Sequence, residues 1–190
     1  MTTNNSVNTP LAGSTGTGNF VGANTPTLIT PVIGAATGTS LAFSPTTGGI
    51  IGTTTNDNTT AGKVGEFVTS TVTFASPVTI TSSTVAQDVT TISLTAGDWD
   101  LFGNLLVNNN AVGFSNVSTW ISTSSAALPN AELRNQIFIG AASAMSTYGT
   151  NVPNIRLSLS GTTTVYLSQA TTYSTGTTIA CGTLSARRRR

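Results

Sequence analysis

Histidine is absent from the 190 residues, and charged side chains make up only 7% of them, against about 25% in an average domain. Without histidine, the chain lacks the usual base of Ser–His and Cys–His enzymes and the commonest metal ligand. Cys181 is the only cysteine, which excludes a disulfide within the chain and indicates a buried structural thiol. One thiolate and scattered carboxylates do not make a zinc site, so we expect no metal and no cofactor.

Positive charge is concentrated at one point of the sequence. Removing Arg187 to Arg190 leaves three basic and six acidic side chains, a net charge of −3 for the rest of the chain. A nucleic-acid-binding domain needs a basic face, which three scattered residues cannot form. The arginine run itself allows two interpretations: docking on an acidic surface, or pairing with acidic neighbours at the end of the last strand, which we favour.

Targeting and membrane signals are also missing. Met1 leads into Thr2 to Asn5 without the basic and apolar segments of a signal peptide, and no apolar run approaches the roughly 20 residues of a membrane span. We therefore expect synthesis in a reducing cytoplasm and no membrane insertion.

Threonine replaces the missing charge: it occupies 39 positions, beside 19 glycines. Threonine favours strands and glycine favours turns. Period-two alternation runs through residues 63–190, and it is clearest in one predicted strand where Trp99, Leu101, Leu105 and Val107 share a face. About eight or nine short strands follow, which predicts an all-β, antiparallel β-sandwich of the jelly-roll kind. Its expected core includes Trp99, Trp120 and Phe138, and Gly161 is expected to turn a hairpin.

Residues 1–62 differ from the rest because they hold one charge, Asp57, and short apolar groups between prolines and glycines. Such groups cannot bury themselves in a monomeric unit of this size, so the segment is either a disordered arm or, as we favour, an extended arm that orders on assembly. Its apolar pairs are the candidates for attachment: Phe20, Val21, Leu28, Ile29, Val32 and Ile33. On the second face of a predicted strand, Phe102 and Leu106 indicate burial between subunits.

Three patterns could carry chemistry, and each has a simpler interpretation. Asp98 and Asp100 share a strand face and could bracket a glycosidic bond, but no second acidic cluster accompanies them, so a solvated strand start or a turn is favoured. Asn56–Asn58 lacks the spacing of a calcium loop, and Gly13–Gly18 lacks the lysine of a phosphate loop. We expect no enzymatic activity.

Several stretches resemble tail-fibre and head-fibre appendage proteins of tailed bacteriophages. The resemblance lies in residues 15–21, 25–34, 51–58 and 61–68, in the Gly97-Asp98-Trp99-Asp100 block with the strand before it, and in the closing strands up to Arg188. It implies an N-terminal arm bound to the particle, here 1–62, and a C-terminal trimeric head of the tumour-necrosis-factor-like jelly-roll kind, here 63–190.

The resemblance implies a homotrimeric virion appendage, assembled in the host cytoplasm, whose arm contacts other virion proteins. Loops tend to carry binding function, so host-surface polysaccharide is expected at predicted loop residues: Asn108, Asn109, Asn110, Phe114, Tyr148 and Asn151. Two alternatives stay open. One is a capsid decoration or cement protein that binds no receptor, and the less favoured one is a polysaccharide depolymerase.

Overall fold

The computed structural model describes residues 54–110, 114–129, 134–139 and 146–190, all within one unit spanning Thr53–Arg190. No helix occurs among them. The predicted attachment residues between Phe20 and Ile33 lie outside the described residues.

Nine strands account for most of the described residues, in agreement with the eight or nine predicted from alternation. Their bounds are β1 Phe67–Val72, β2 Val78–Ile80, β3 Gln87–Leu94, β4 Gly97–Asn109, β5 Asn116–Ser122, β6 Arg134–Phe138, β7 Thr147–Leu159, β8 Thr163–Thr172 and β9 Thr178–Arg188.

Two antiparallel sheets face each other. The first sheet has the order β1-β9-β4-β7, with β2 also paired to β9, and the second has the order β3-β8-β5-β6. From β3 onward the chain passes repeatedly between the sheets, and the last strand lies beside the first. This crossing pattern is that of a jelly-roll sandwich, so the predicted fold class is confirmed.

Alternation along β4 positions the core as predicted. Trp99, Leu101, Leu105 and Val107 are buried between the sheets, while Asp100, Phe102, Asn104 and Leu106 lie on the outer face of the first sheet. Leu94, Val165, Leu167 and Leu184 from β3, β8 and β9 complete the centre of the core. Burial of this apolar surface is the main stabilising contribution to the sandwich.

Phe138 was predicted in the core and is 76% exposed, so that prediction was wrong. Ile137 lies opposite Val117 on the inner face, and alternation therefore turns Phe138 outward on the edge strand β6. Trp120 is fully buried as predicted, but on the outer face of the second sheet, because Val117 and Ile121 of the same strand take the inner positions. Gly161 joins β7 to β8, which belong to different sheets, so no hairpin forms there.

Gly182 lies where the backbone of β9 packs closely against the backbone of β4. A Cβ at this position would lie 2.3 Å from the backbone oxygen of Asn104, whereas a Cβ at Gly149 of β7 would meet nothing within 4 Å. We expect Gly182→Ala to lower the free energy of unfolding by about 3 kcal/mol, because the strands must separate to admit the methyl group. Gly149→Ala, the matched control, should leave stability unchanged or slightly raised. Urea unfolding of both variants measures the difference, and equal stabilities would contradict this packing.

Candidate functional site: the base, the tip and the outer faces

The two ends of the sandwich differ in chemistry. The 13 residues of β4 span about 40 Å between them. We call one end the base, made of residues 58–66, 95–100 and 186–190 together with Arg156, and the other end the tip, made of residues 108–110, 146–148 and 174–177. Charged side chains gather at the base, whereas the tip carries asparagine, serine, threonine and one tyrosine.

Arg188 organises the base. Its side chain is only 4% exposed, and its Nε donates to Glu66 Oε2 over 2.8 Å. Nη1 donates to the Ala96 carbonyl and Nη2 to Thr95 Oγ1, while the guanidinium carbon lies 4.2 Å from the centroid of the Trp99 ring. The Trp99 ring therefore provides a cation–π contact to a guanidinium whose three nitrogens each donate a hydrogen bond.

Glu66 joins the segment before β1 to the same cluster. Its Oε2 also accepts the Gly62 amide over 2.8 Å, and its backbone carbonyl accepts the Arg188 amide over 2.9 Å. Burial by itself would raise the pKa of Glu66, but the hydrogen bonds from Gly62 and Arg188 together hold that pKa below its usual value. Asn58 adds a pair of hydrogen bonds to the backbone of Phe67, so residues 58–66 are fixed at the base.

Asp98 is 3% exposed and forms the second ion cluster of the base. Arg156 grips its carboxylate with Nε at 2.8 Å and with Nη2, and Arg190 Nε lies 3.0 Å from Oδ2. The hydrogen bond from Arg156, aided by the charges of Arg156, Arg190 and Arg189, holds the pKa of Asp98 below its usual value. The expectation of a solvated Asp98 is corrected, since its carboxylate is buried by its arginine partners.

The arginine run pairs with acidic neighbours, as favoured from the sequence. Arg188 pairs with Glu66, Arg190 with Asp98, and Arg189 Nε lies 3.5 Å from Asp100 Oδ2. Sequence reasoning missed Glu66 as the buried partner, because 122 positions separate it from Arg188 and only the β1–β9 pairing brings them together.

Three predicted receptor-contact residues lie at the tip. Asn108 Nδ2 donates to Thr147 Oγ1 over 2.6 Å, and Asn110 Oδ1 accepts the Thr177 amide over 2.8 Å. Tyr148 lies opposite Val107 and, partly buried, packs against the core. Asn151 lies away from the tip, opposite Asn104 near the middle of β7.

Two other predicted contact residues are corrected. Asn109 is fully buried, and its Nδ2 donates to the Thr175 carbonyl and to Thr178 Oγ1 at 2.7 Å. Phe114 is 2% exposed and belongs to the core. Neither side chain can contact a receptor in this conformation, since both point between the sheets rather than outward.

The outer face of the first sheet carries a neutral groove of about 410 Å³, which has Phe102 at one side and amide and hydroxyl groups elsewhere. The groove residues include Asn104, Asn151, Asn154, Thr183 and Ser185. Phe67 stacks on Phe102 with ring centroids 6.4 Å apart, and Leu106 lies opposite Cys181 on β9. Burial raises the pKa of the Cys181 thiol, which is in keeping with a structural cysteine.

Within the described ranges, no three His, Cys, Asp or Glu side chains gather as metal ligands would. Nor do those ranges contain a helix long and apolar enough to cross a membrane.

Comparison of the sequence with models of known protein families found no match, and comparison with curated protein sequences found none. Among solved structures, the chain is similar to the infectious bursal disease virus VP2 subviral particle at 13% identity and a TM-score of 0.42, covering 74% of this chain and 37% of that one. Structures of the Gx and Gt strains of that virus match at 16% and 14% identity, with TM-scores of 0.42 and 0.41. For these two, 74% and 79% of this chain is covered, and 38% and 42% of theirs.

The chain therefore spans less than half the length of these viral structures. Likeness at these scores decides neither fold nor function, and the jelly-roll assignment depends on the strand order given above.

The buried Glu66–Arg188 pair predicts a specific acid sensitivity. The pKa of Glu66 is lower in the folded state than its unfolded value of about 4.3. Its contribution to stability is therefore complete above that value and is lost as pH falls through the folded-state pKa. Glu66→Gln should cost about 3 kcal/mol at neutral pH, because it leaves the Arg188 charge buried and unpaired. It should also flatten the decline in stability at acidic pH.

Asp57→Asn is the matched control, since Asp57 is an exposed acid of the same segment whose carboxylate accepts Thr55 Oγ1. Urea unfolding over a series of acidic and neutral pH values measures both variants. If Glu66→Gln and Asp57→Asn follow the same pH curve as the unaltered chain, Glu66 does not control acid stability.

Proposed function

We propose that the chain is a non-enzymatic structural component of a virion, a short tail-fibre or head-fibre appendage that acts as a homotrimer. Residues 1–62 attach to other virion proteins, and the tip of the sandwich reaches host-surface glycans. The difference between the two ends of the sandwich carries this proposal. The segment that precedes β1 is fixed at the charged base, and the neutral polar loops of the tip lie about 40 Å away. The sequence resemblance to bacteriophage appendage proteins supports the same arrangement.

Trimer formation is proposed through the outer face of the first sheet, where Phe102 and Leu106 were predicted to meet other subunits. The Phe67–Phe102 stack and Leu106 give this face apolar surface, and the groove beside them has no charged lining residue. Charges would oppose association unless they were paired across the interface. The described charges of this sheet lie toward the base, where Glu66, Asp98, Arg156, Arg188 and Arg190 form ion pairs within the chain and Arg187 is exposed. Neighbouring copies would therefore bury neutral surface at little electrostatic cost.

Glycan attachment is proposed at Asn108, Asn110 and Tyr148. Amide groups can donate to and accept from sugar hydroxyls, and a partly exposed tyrosine offers an apolar ring with a polar hydroxyl. Such contacts are weak individually, but three sites on one trimer gain avidity on a repeating polysaccharide.

One observation favours the second candidate, a decoration or cement protein without a receptor. The side chains of Asn108 and Asn110 are already hydrogen-bonded to Thr147 and Thr177 within the fold. A ligand must replace these bonds, so its net gain is small. A depolymerase is disfavoured, because Asp98 is held by two arginines and is not free to act as acid or nucleophile.

The trimer is tested by Leu106→Asp. The unaltered chain should sediment as a species of three times 19.3 kDa, and the variant should shift to the monomer, because a charge would be buried at each contact. Thr91→Asp is the control, since Thr91 is exposed on the outer face of the second sheet. A monomeric unaltered chain, or equal dissociation of both variants, would reject this interface.

Receptor binding is tested by adsorption of the purified trimer to host cells and to a glycan array. Asn110→Ala and Tyr148→Ala should each reduce retention about tenfold through lost avidity, whereas Thr91→Ala should not. If the unaltered trimer binds neither cells nor glycans, and many copies are found on the capsid shell, receptor binding is rejected in favour of the decoration role.

A further inference from the structure

The base holds more positive charge than its own carboxylates neutralise. It contains six basic and three acidic side chains, a surplus of three positive charges. The basic side chains are Lys63, Arg156, Arg187, Arg188, Arg189 and Arg190, and the acidic ones are Glu66, Asp98 and Asp100. Counting Asp57, which directly precedes the base in sequence, still leaves a surplus of +2. Positive potential is therefore concentrated at one end of the sandwich.

Most of this positive charge is accessible to solvent. Lys63 and Arg187 are exposed, and neither forms an ion pair with a described residue. The side chains of Arg156, Arg189 and Arg190 are 53%, 53% and 76% exposed, although each lies beside a carboxylate. A guanidinium carries five N–H donors, so contact with one carboxylate leaves donors free for an outside partner.

Strand pairing places the exposed cations side by side along the base edge of the first sheet. The Gly65 amide donates to the Arg188 carbonyl over 3.0 Å, and the Arg189 amide donates to the Asp98 carbonyl over 2.8 Å. The end of β9 therefore runs between the turn at residues 60–65 and the start of β4, and β7 lies on the other side of β4. Three strand spacings, about 15 Å, separate the turn from β7. We call the exposed cations of this edge the basic strip: Lys63, Arg156, Arg187, Arg189 and Arg190.

An apolar side chain projects beside the basic strip. Val64 is 70% exposed in the turn at residues 60–65. The backbone of this turn is fixed, because the Lys63 amide donates to the Thr60 carbonyl and the Glu66 amide to the Lys63 carbonyl, each over 3.1 Å. Single exposed apolar residues are common on protein surfaces, but this one stands on a hydrogen-bonded turn next to cations. A contact with Val64 therefore costs little conformational entropy, which suits an anchor for a partner.

We propose that the basic strip and Val64 form a docking surface for an acidic protein whose carboxylates surround an apolar recess. These carboxylates accept from the exposed arginines in the forked geometry that Arg156 already shows with Asp98, and the recess takes Val64. Nucleic acids and sulfated glycans carry their anionic groups on a hydrophilic backbone and would leave Val64 in water. A protein partner therefore fits both features of the surface.

The position of this surface deepens the proposed function and rests on that function for the identity of the partner. Residues 58–66 are fixed at the base, so a chain attached to a virion through residues 1–62 presents its base to the protein that holds it. Attachment raises the effective concentration of that protein at the base, so weak contacts suffice. In a trimer, three bases with surplus positive charge meet, and an acidic partner reduces their mutual repulsion.

The test measures binding of the full chain to a capped, fluorescently labelled peptide with one central leucine between glutamates, by fluorescence anisotropy at low ionic strength. Two matched peptides replace the leucine with serine or the glutamates with glutamine. We expect the serine peptide to bind about fivefold more weakly, because Val64 loses its apolar partner. The glutamine peptide should bind at least tenfold more weakly, and added salt should weaken the glutamate peptide.

Variants of the chain locate the contact. Val64→Ser should weaken the leucine peptide about fivefold and leave the serine peptide unchanged, because the two apolar side chains contact each other. Val85→Ser is the control, since Val85 is also exposed but precedes β3 at the end of that strand away from the base. Arg187→Gln should weaken binding about threefold, whereas Arg134→Gln, on β6 of the second sheet, should have little effect.

Equal binding of the glutamate and glutamine peptides, or equal effects of Val64→Ser and Val85→Ser, would overturn the proposal. So would heparin or single-stranded DNA that binds more tightly than the peptide and is unaffected by Val64→Ser, since that result assigns the base to polyanions other than proteins. A trimer that adsorbs to cells but ignores the peptide would reject the docking surface alone. Peptide binding by a chain that is monomeric and does not adsorb to cells would reject the proposed function and leave the docking surface standing.

Discussion

The contact of Arg188 with Glu66 and Trp99 is the interaction on which the described structure most depends. A jelly roll places its first and last long strands side by side, so β1 and β9 must be held together at the end where both meet the β3–β4 turn. Arg188, itself in β9, bonds to the other two segments at once: to Glu66 before β1, and to Thr95 and Ala96 in the β3–β4 turn. Gly97 completes the arrangement: its φ is +143°, and a Cβ there would lie 1.9 Å from Arg188 Nη1. A buried ion pair contributes little net stability by itself, so its importance lies in fixing which segments meet.

Scarcity of charge gives the molecule its division into charged and neutral regions. The ion pairs of the base use five of the few ionisable groups: Glu66, Asp98, Arg156, Arg188 and Arg190. The outer face of the first sheet is therefore almost without charge away from the base. Threonine and asparagine keep that face hydrated without opposing contact between copies. The same composition would be a poor choice for an isolated monomer, because net charge is what commonly keeps proteins apart in solution. It suits a protein that acts within an assembly.

Alternation in the sequence predicted much of the fold, because a strand with one apolar face can be buried in only one way. Trp99, Leu101, Leu105 and Val107 were placed correctly for this reason. Prediction failed where both faces carried apolar residues, as at Ile137 and Phe138, and where a loop residue such as Phe114 closed the core. Asn109 was misjudged because an asparagine run is typical of a surface turn, while its partners are distant in sequence: Thr175 lies in the β8–β9 turn and Thr178 is the first residue of β9. The ion pairs of the base arise from strand register, which one sequence does not contain.

The state of the polar groups limits what the tip can bind. Asn108 and Asn110 already have partners, so a ligand exchanges one set of hydrogen bonds for another and gains little at each site. If three copies associate through the outer face of the first sheet, their tips lie at the same end of the assembly, and three weak sites act together on a repeating ligand. The tip has no charged side chain, so selectivity between sugars there would come from shape and hydrogen bonding rather than from charge.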